Sequence, residues 1–264
     1  MVLRFTSCQA PNADVQFGRV VDYVGHRLGI EPEFVSDHDW EQREAGLFAG
    51  DFQVGWICGL PYVRQADSSN PSVAVLAAPL MAGARYAGEP VYFSDVVVRH
   101  DREFRTFNDL RGRTWAYNEP HSHSGYNLTR YMLAAKGLNG DYFGRRVEAG
   151  SHENALRLLL SGKIDATALD STVLETELSA SPQLADQLRI LEAWGPSPIP
   201  PWVVHVSVPL ALRTRLHQAL TQMHMEPEGK AMLESAGQSR FVAVIDRQYD
   251  PIREMYRRAE PISL

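Results

Sequence analysis

The sequence is poor in cysteine: Cys8 and Cys58 are the only two in 264 residues. Two cysteines cannot build a disulfide framework, and their spacing matches no zinc-ligand pattern. No apolar stretch approaches the ~20 residues needed to span a bilayer. No run of five like charges occurs, so no charged tail is implied. The formal net charge of −6 argues against the basic stripe that a nucleic-acid surface requires. Internal repeats, low-complexity segments, a glycine-rich nucleotide loop and an ordered Ser-His-Asp set are all missing. The first residues, MVLRFTSCQAPN, lack a basic segment followed by roughly 7–15 apolar residues, which marks a secretion leader. Two expectations for location follow: periplasmic or cell-surface where a leader has been removed, cytoplasmic otherwise.

What remains is ordinary globular material, 44% hydrophobic and 22% charged, sufficient to bury a core. Residues 2–5 read as a strand. Phe17, Val20, Val21, Val24 and Leu28 recur at helical spacing, with Gly29 as the stop. Strands over 32–35 and 52–57 flank a helix over 40–48, which gives the alternation of a doubly wound parallel sheet. Residues 72–80 and 90–99 are β-rich. A second series then runs strand 114–117, helix from 128 to Gly137, strand 146–148, helix 155–160, strand 164–169 and a helix through Val173 and Leu178. A strand over 188–193 precedes the most proline-rich stretch, GPSPIPP at 195–201. An extended segment at 202–206, helices around 209–223 and 232–233, a strand at 241–244 and a helix at 247–258 close the chain. The expected fold class is α/β, with two lobes, each a doubly wound, mostly parallel sheet. Lobe 1 comprises 1–90 and 200–264, and lobe 2 comprises 91–199. Crossings fall near 86–92 and 194–202, with a cleft expected between the lobes.

Three helix starts carry unusual chemistry. NEPHSHSGYN (118–127) crowds Ser122, His123, Ser124 and Gly125 at a helix mouth. AGSHENAL (149–156) places His152 at a second, and ALDSTVL (168–174) places Asp170 at a third. The first N–H groups of a helix lack intrahelical partners, and the dipole puts about half a positive charge there. Hydroxyls add donors, so such a mouth can hold an oxyanion without lysine or arginine. Helix capping explains each mouth taken singly. His121 and His123 also have the His-x-His form of a zinc pair, without a recognisable third ligand. Three polar mouths after successive strands converge on one sheet edge, and that convergence favours a ligand site.

These residues resemble the phosphonate-binding, PhnD-type substrate-binding proteins of ABC transport systems, which have the type II periplasmic-binding-protein fold. The likeness runs through VGWICGLPYV (54–63), VYFSDVVVRHD (91–101), FNDLRGRTWAYNEPHSHSGYNL (107–128), AGSHENALRLLLSGKIDATALDSTVL (149–174), SPIPPWVV (197–204) and HMEPEGKAMLE (224–234). The family's D-P-x-S-x-S-G loop reads Glu119-Pro120-His121-Ser122-His123-Ser124-Gly125 here, with His123 in place of the usual central threonine. The resemblance implies oxyanion binding by Ser122, His123, Ser124 and His152. It also implies an aromatic frame from Trp40 and Tyr92, with Trp56 or Ile57 nearby, although core packing explains these equally well. Family members that bind aminoalkylphosphonates hold the amine with carboxylates. Here the corresponding positions fall at Thr172 and near 201–202, with Asp170 as the candidate replacement. A smaller or less cationic ligand than 2-aminoethylphosphonate is therefore expected.

The leading expectation is a monomeric binding protein, without cofactor or metal, that closes on a small anionic ligand and serves an ABC permease. Two alternatives remain. One is an enzyme on the same fold, with Cys8 or Cys58 near strand ends. The other is a cytosolic ligand sensor.

Overall fold

The structure, a computed structural model, describes residues 2–264. The chain leads with β1 (Val2–Ser7), α1 (Asp14–Leu28), β2 (Glu31–Val35), α2 (Trp40–Ala49), β3 (Val54–Trp56), α3 (Gly59–Ala66) and β4 (Val73–Met81). It then crosses into β5 (Val91–Arg99), β6 (Thr114–Tyr117), α4 (Leu128–Ala135), β7 (Arg145–Glu148), α5 (His152–Leu160), β8 (Ala166–Asp170), α6 (Ser171–Ala180) and β9 (Leu188–Pro198). The return supplies β10 (Trp202–His205), α7 (Leu210–Gln222), α8 (Pro227–Ser235), β11 (Gln238–Val242) and α9 (Asp250–Ala259). Two units result. The first runs to Val91 and resumes over Pro198–Asp250; the second holds Tyr92–Ser197 and Pro251–Leu264.

In the first unit the sheet order is β11-β4-β10-β3-β1-β2. β1 pairs in parallel with β2 and β3, whereas β10 runs antiparallel to both β3 and β4. Trp202 stands opposite Trp56 and Ala77, so the returning chain enters at the carboxyl edge of the leading strands and must run back along them. The amphipathic stripe of α1 buries Phe17, Val20, Val21 and Val24 with Trp202, Leu216 and Phe241. Each such side chain contributes about 1.5–3 kcal/mol of transfer free energy. Gly29 ends α1 at φ 62, a left-handed conformation that glycine adopts without Cβ strain.

The second unit has the order β7-β6-β8-β5-β9. β6 is parallel to β7 and β8, and β5 is antiparallel to β8, again starting at the carboxyl edge with Ser94 opposite Asp170. The leading strands of each unit thus follow the expected parallel winding, while β10 in the first unit and β5 in the second run the other way, so both sheets are mixed. Strand alternation puts Val96 and Val98 in one core with Trp115, Phe107 and Trp194. It puts Val97 in the other, with Leu156 and Leu159 of α5.

Three expectations change. Residues 59–66, to which the sequence reading gives no element, form α3; Pro61 sits in its first turn, where its missing N–H costs nothing. β9 continues through the proline-rich stretch to Pro198, since it lies on the sheet edge, where proline is tolerated. Residues 251–264, assigned by sequence to lobe 1, belong to the second unit. Ile262 is buried in the Trp115 core, and the Arg130 guanidinium donates to the carbonyls of Ile262 (2.6 Å) and Ala259 (2.9 Å).

Candidate oxyanion site in the second unit

Strands β6, β7 and β8 are parallel neighbours, so the segments leaving their carboxyl ends lie along one edge. The first mouth begins with Asn118. Ser122 caps a π-helical turn over His123–Asn127, and its hydroxyl accepts from the Gly125 amide at 3.1 Å before α4 starts. At the second mouth Ser151 caps α5, accepting from Asn154 N at 3.1 Å, and His152 is the first helical residue. At the third, Asp170 caps α6 through Thr172 N (2.8 Å) and Thr172 Oγ1 (2.7 Å). Capping and site formation are therefore not exclusive. The caps aim the turns, and residues of the first two mouths meet.

Side chains join the first two mouths. His152 Nε2 lies 3.1 Å from Ser124 Oγ and 3.3 Å from Asn118 Nδ2. The Asn118 carbonyl accepts from Gly150 N at 2.8 Å, which pins the main chain of one mouth to the other. Ser94 Oγ donates to the Ser124 carbonyl at 2.8 Å, linking β5 to the same turn. A Cβ on Gly125 would stand 2.0 Å from Asn118 Oδ1 and 3.2 Å from His152 Cε1, so only glycine lets these groups close up.

Electrostatics follow from burial. Ser122, Ser124 and His152 are 2%, 2% and 6% exposed, and His123 is fully buried. Burial lowers the His152 pKa to about 4 and that of His123 to about 3, so both rings are neutral near pH 7. The Asn118 amide nitrogen can only donate, so His152 Nε2 is the acceptor and Nδ1 carries the proton. That Nδ1 is buried with no hydrogen-bond partner among the described residues. The protein supplies no acceptor for this donor; a buried donor without one costs about 1–3 kcal/mol, which an oxyanion oxygen at that nitrogen would offset. Asp170 shifts the other way: burial first, then the Asp95 charge, raise its pKa to about 6, against the bonds from Thr172.

Ser122, Ser124, Gly125 and His152 are therefore brought together. His123 turns differently. Its Nδ1 accepts from Asn127 Nδ2 at 3.1 Å, and its Nε2 meets Ser197 Oγ at 3.0 Å. The Tyr92 ring is 6.4 Å away. His123 thus braces the turn against the ends of β5 and β9, and with both nitrogens engaged it has none left for a zinc ion. Among the described residues no group of three or more His, Cys, Asp or Glu is placed to hold a metal. Asp170 is occupied as a cap. Trp40, Trp56 and Ile57 lie in the first unit. Trp40 opens α2 behind the Asp39 cap. Trp56 donates to the Pro200 carbonyl at 3.0 Å and stacks on Phe17 and Trp202. Ile57 is fully buried. Sequence reasoning missed Asn118, Ser94 and Ser197. Their position just past or inside β6, β5 and β9 was readable, but the direction of their side chains was not.

Comparison with known proteins gives the family. The chain is 25% identical over 236 residues to the phosphonates-binding periplasmic protein of Escherichia coli (strain K12), covering 87% of this chain and 67% of that one. The fold superposes with a TM-score of 0.86 on PhnD1 of Prochlorococcus marinus in complex with methylphosphonate, at 20% identity and 99% coverage of both chains. A binding-protein component of an ABC phosphonate transporter from Pseudomonas aeruginosa gives the same TM-score at 19% identity, covering 98% of this chain and 86% of that one. The model of the ABC transporter, phosphonate, periplasmic substrate-binding protein family matches residues 5–249, and the chain belongs to that family.

Proposed function

We propose that this protein captures a small oxyanion of the phosphonate or phosphate type for ABC-type uptake, holding it at the helix mouths of the second unit. The observation that carries this reading is the buried Nδ1 of His152, without a hydrogen-bond partner among the described residues, on a ring whose Nε2 meets Ser124 of the neighbouring helix mouth. The ligand oxygens accept from that N–H and from first-turn amides of the π-helical segment; the Ser124 hydroxyl turns from Nε2 to a ligand oxygen, leaving Asn118 Nδ2 as the donor to Nε2. Its charge is stabilised by the two helix starts rather than by a cation. The methylphosphonate bound to the Prochlorococcus relative is a compact ligand of this kind. The carboxylate of Asp170 is already engaged by Thr172, which favours a ligand without an ammonium group. Rotation about the crossings near 86–92 and 194–202 is the proposed closing motion. No helix among the described residues is long and apolar enough to cross a membrane. Membership of a periplasmic substrate-binding family favours the periplasmic side, with delivery to a permease.

Binding rather than catalysis is the reading the side chains favour. Burial, with Glu44 adding to it, pushes the Cys8 thiol far above its usual range, the reverse of what a nucleophilic thiolate needs. A thermal-shift panel of phosphate, phosphite, methylphosphonate, 2-aminoethylphosphonate and sulfate tests the proposal. A ligand at 100 times its Kd stabilises the fold by about 2.7 kcal/mol. A shift with methylphosphonate or phosphite is expected; no shift with any phosphorus oxyanion removes the reading.

A further inference from the structure

We propose that Asn118 is a positioning residue that fixes His152 in the Nδ1–H tautomer, and so decides that the site accepts only a hydrogen-bond acceptor at that point. The inference rests on the oxyanion reading for its consequence but not for its geometry. Two groups face His152 Nε2: Ser124 Oγ at 3.1 Å and Asn118 Nδ2 at 3.3 Å. A serine hydroxyl can donate or accept, so it adapts to either tautomer. The amide nitrogen of Asn118 has no such freedom, and with the ring neutral it forces the lone pair onto Nε2 and the proton onto Nδ1.

A main-chain bond and close packing place Asn118, whose Oδ1 takes no hydrogen bond among the described residues. Its carbonyl receives the Gly150 amide at 2.8 Å, two residues before His152. Its Oδ1 lies over the Cα of Gly125, where any Cβ would intrude to 2.0 Å. The side chain is 4% exposed, so water does not compete for the amide. Asn118 touches the ring on the side away from the free nitrogen and acts on the ligand through His152. An oxygen of a phosphonate, phosphite or sulfate satisfies Nδ1–H, whereas an ammonium or amide N–H pointed at the same place meets a second donor.

The test is a nitrogen–proton correlation spectrum of the full chain labelled with 15N-histidine, without ligand, at pH 7.5. His152 is identified by its loss in His152→Gln. The expected wild-type pattern is a protonated Nδ1 and a bare Nε2. In Asn118→Asp the group facing the ring can only accept, and Nε2 is expected to gain a proton. Methylphosphonate affinity should fall at least tenfold in that variant. A wild-type spectrum with the proton on Nε2 overturns the proposal whether or not the variant folds, and so does an Asn118→Asp spectrum with Nε2 still bare. Because the tautomer is read without ligand, its failure is distinct from failure of the oxyanion reading, which a separate titration of wild type with methylphosphonate reports.

Discussion

Gly125→Ala is the substitution from which most can be worked out. The added Cβ would lie 2.0 Å from Asn118 Oδ1 and 3.0 Å from Asn118 Cγ, with His152 Cε1 at 3.2 Å. Ordinary contact begins near 3.4 Å, so the amide oxygen must retreat by more than an ångström. The Asn118 side chain is buried and its nitrogen is bonded to His152, so that retreat pulls the amide off Nε2. Overpacking of this kind costs about 1–3 kcal/mol. In a chain of this size each kcal/mol lowers Tm by about 2–4 °C, so a fall of about 2–12 °C is expected by calorimetry. Ligand affinity should suffer more than stability, since both the turn that donates its amides and the orientation of His152 are disturbed. Titration calorimetry with methylphosphonate should show a loss of at least tenfold in the folded variant. A Gly125→Ala protein with wild-type affinity would refute the claim that these two mouths form one site. Gly18→Ala is the control. It lies in α1 with Phe34 Cδ1 at an ordinary 3.5 Å, so the helix should gain about 0.5–1 kcal/mol and binding should not change.

The other expected outcomes are these. Ser124→Ala removes one donor to a charged oxygen, worth about 1.5–3 kcal/mol, or roughly 10- to 150-fold in Kd by titration; a change under threefold contradicts its role. His123→Thr loses the bonds to Asn127 and Ser197, and it should lower Tm while the protein, once folded, still binds methylphosphonate within about tenfold of wild type. Acid should destabilise the fold in denaturant titrations. The folded pKa values of His152 and His123, about 4 and about 3, lie below the unfolded 6.5, so the unfolded chain binds more protons as pH falls below 6.5. Each histidine then removes about 1.4 kcal/mol per pH unit. Asp170 works in the opposite sense: its pKa, raised to about 6, contributes stability that is full below pH 3.8 and lost as pH rises through 6. Between pH 6 and pH 4 it offsets one of the two histidines, leaving a net loss of about 1.4 kcal/mol per unit. Stability that stays flat or rises from pH 6.5 to pH 4 would contradict the buried neutral rings.

The strands and helices with strong periodicity were legible in the sequence because one face had to be buried. The Phe17–Val20–Val21–Val24 stripe and the glycine stop at Gly29 left little choice. The helix mouths were legible because Ser122, Ser151 and Asp170 are the residue types that cap helices, and each caps one here. What failed had a physical cause. Pro61 and Gly59 signal a break, yet both are harmless in the first turn of α3. The prolines after Trp194 signal the end of a strand, yet an edge strand needs no second ladder. Residues 251–264 were placed by sequence order, whereas the contacts of Arg130 and Ile262 decide their unit. His123 aligns with a ligand-binding position of the family, and the contacts of its ring with Ser197 and Asn127 could not be read from the sequence. The position of Asn118 at the end of β6 was readable, but not its contact with His152, 34 positions away in the chain.

The most direct measurement is a crystal structure of the protein with methylphosphonate. A phosphonate oxygen is expected about 3 Å from His152 Nδ1 and within reach of the Ser124 hydroxyl. Density for the ligand elsewhere, with His152 Nδ1 still unpaired, would contradict that expectation.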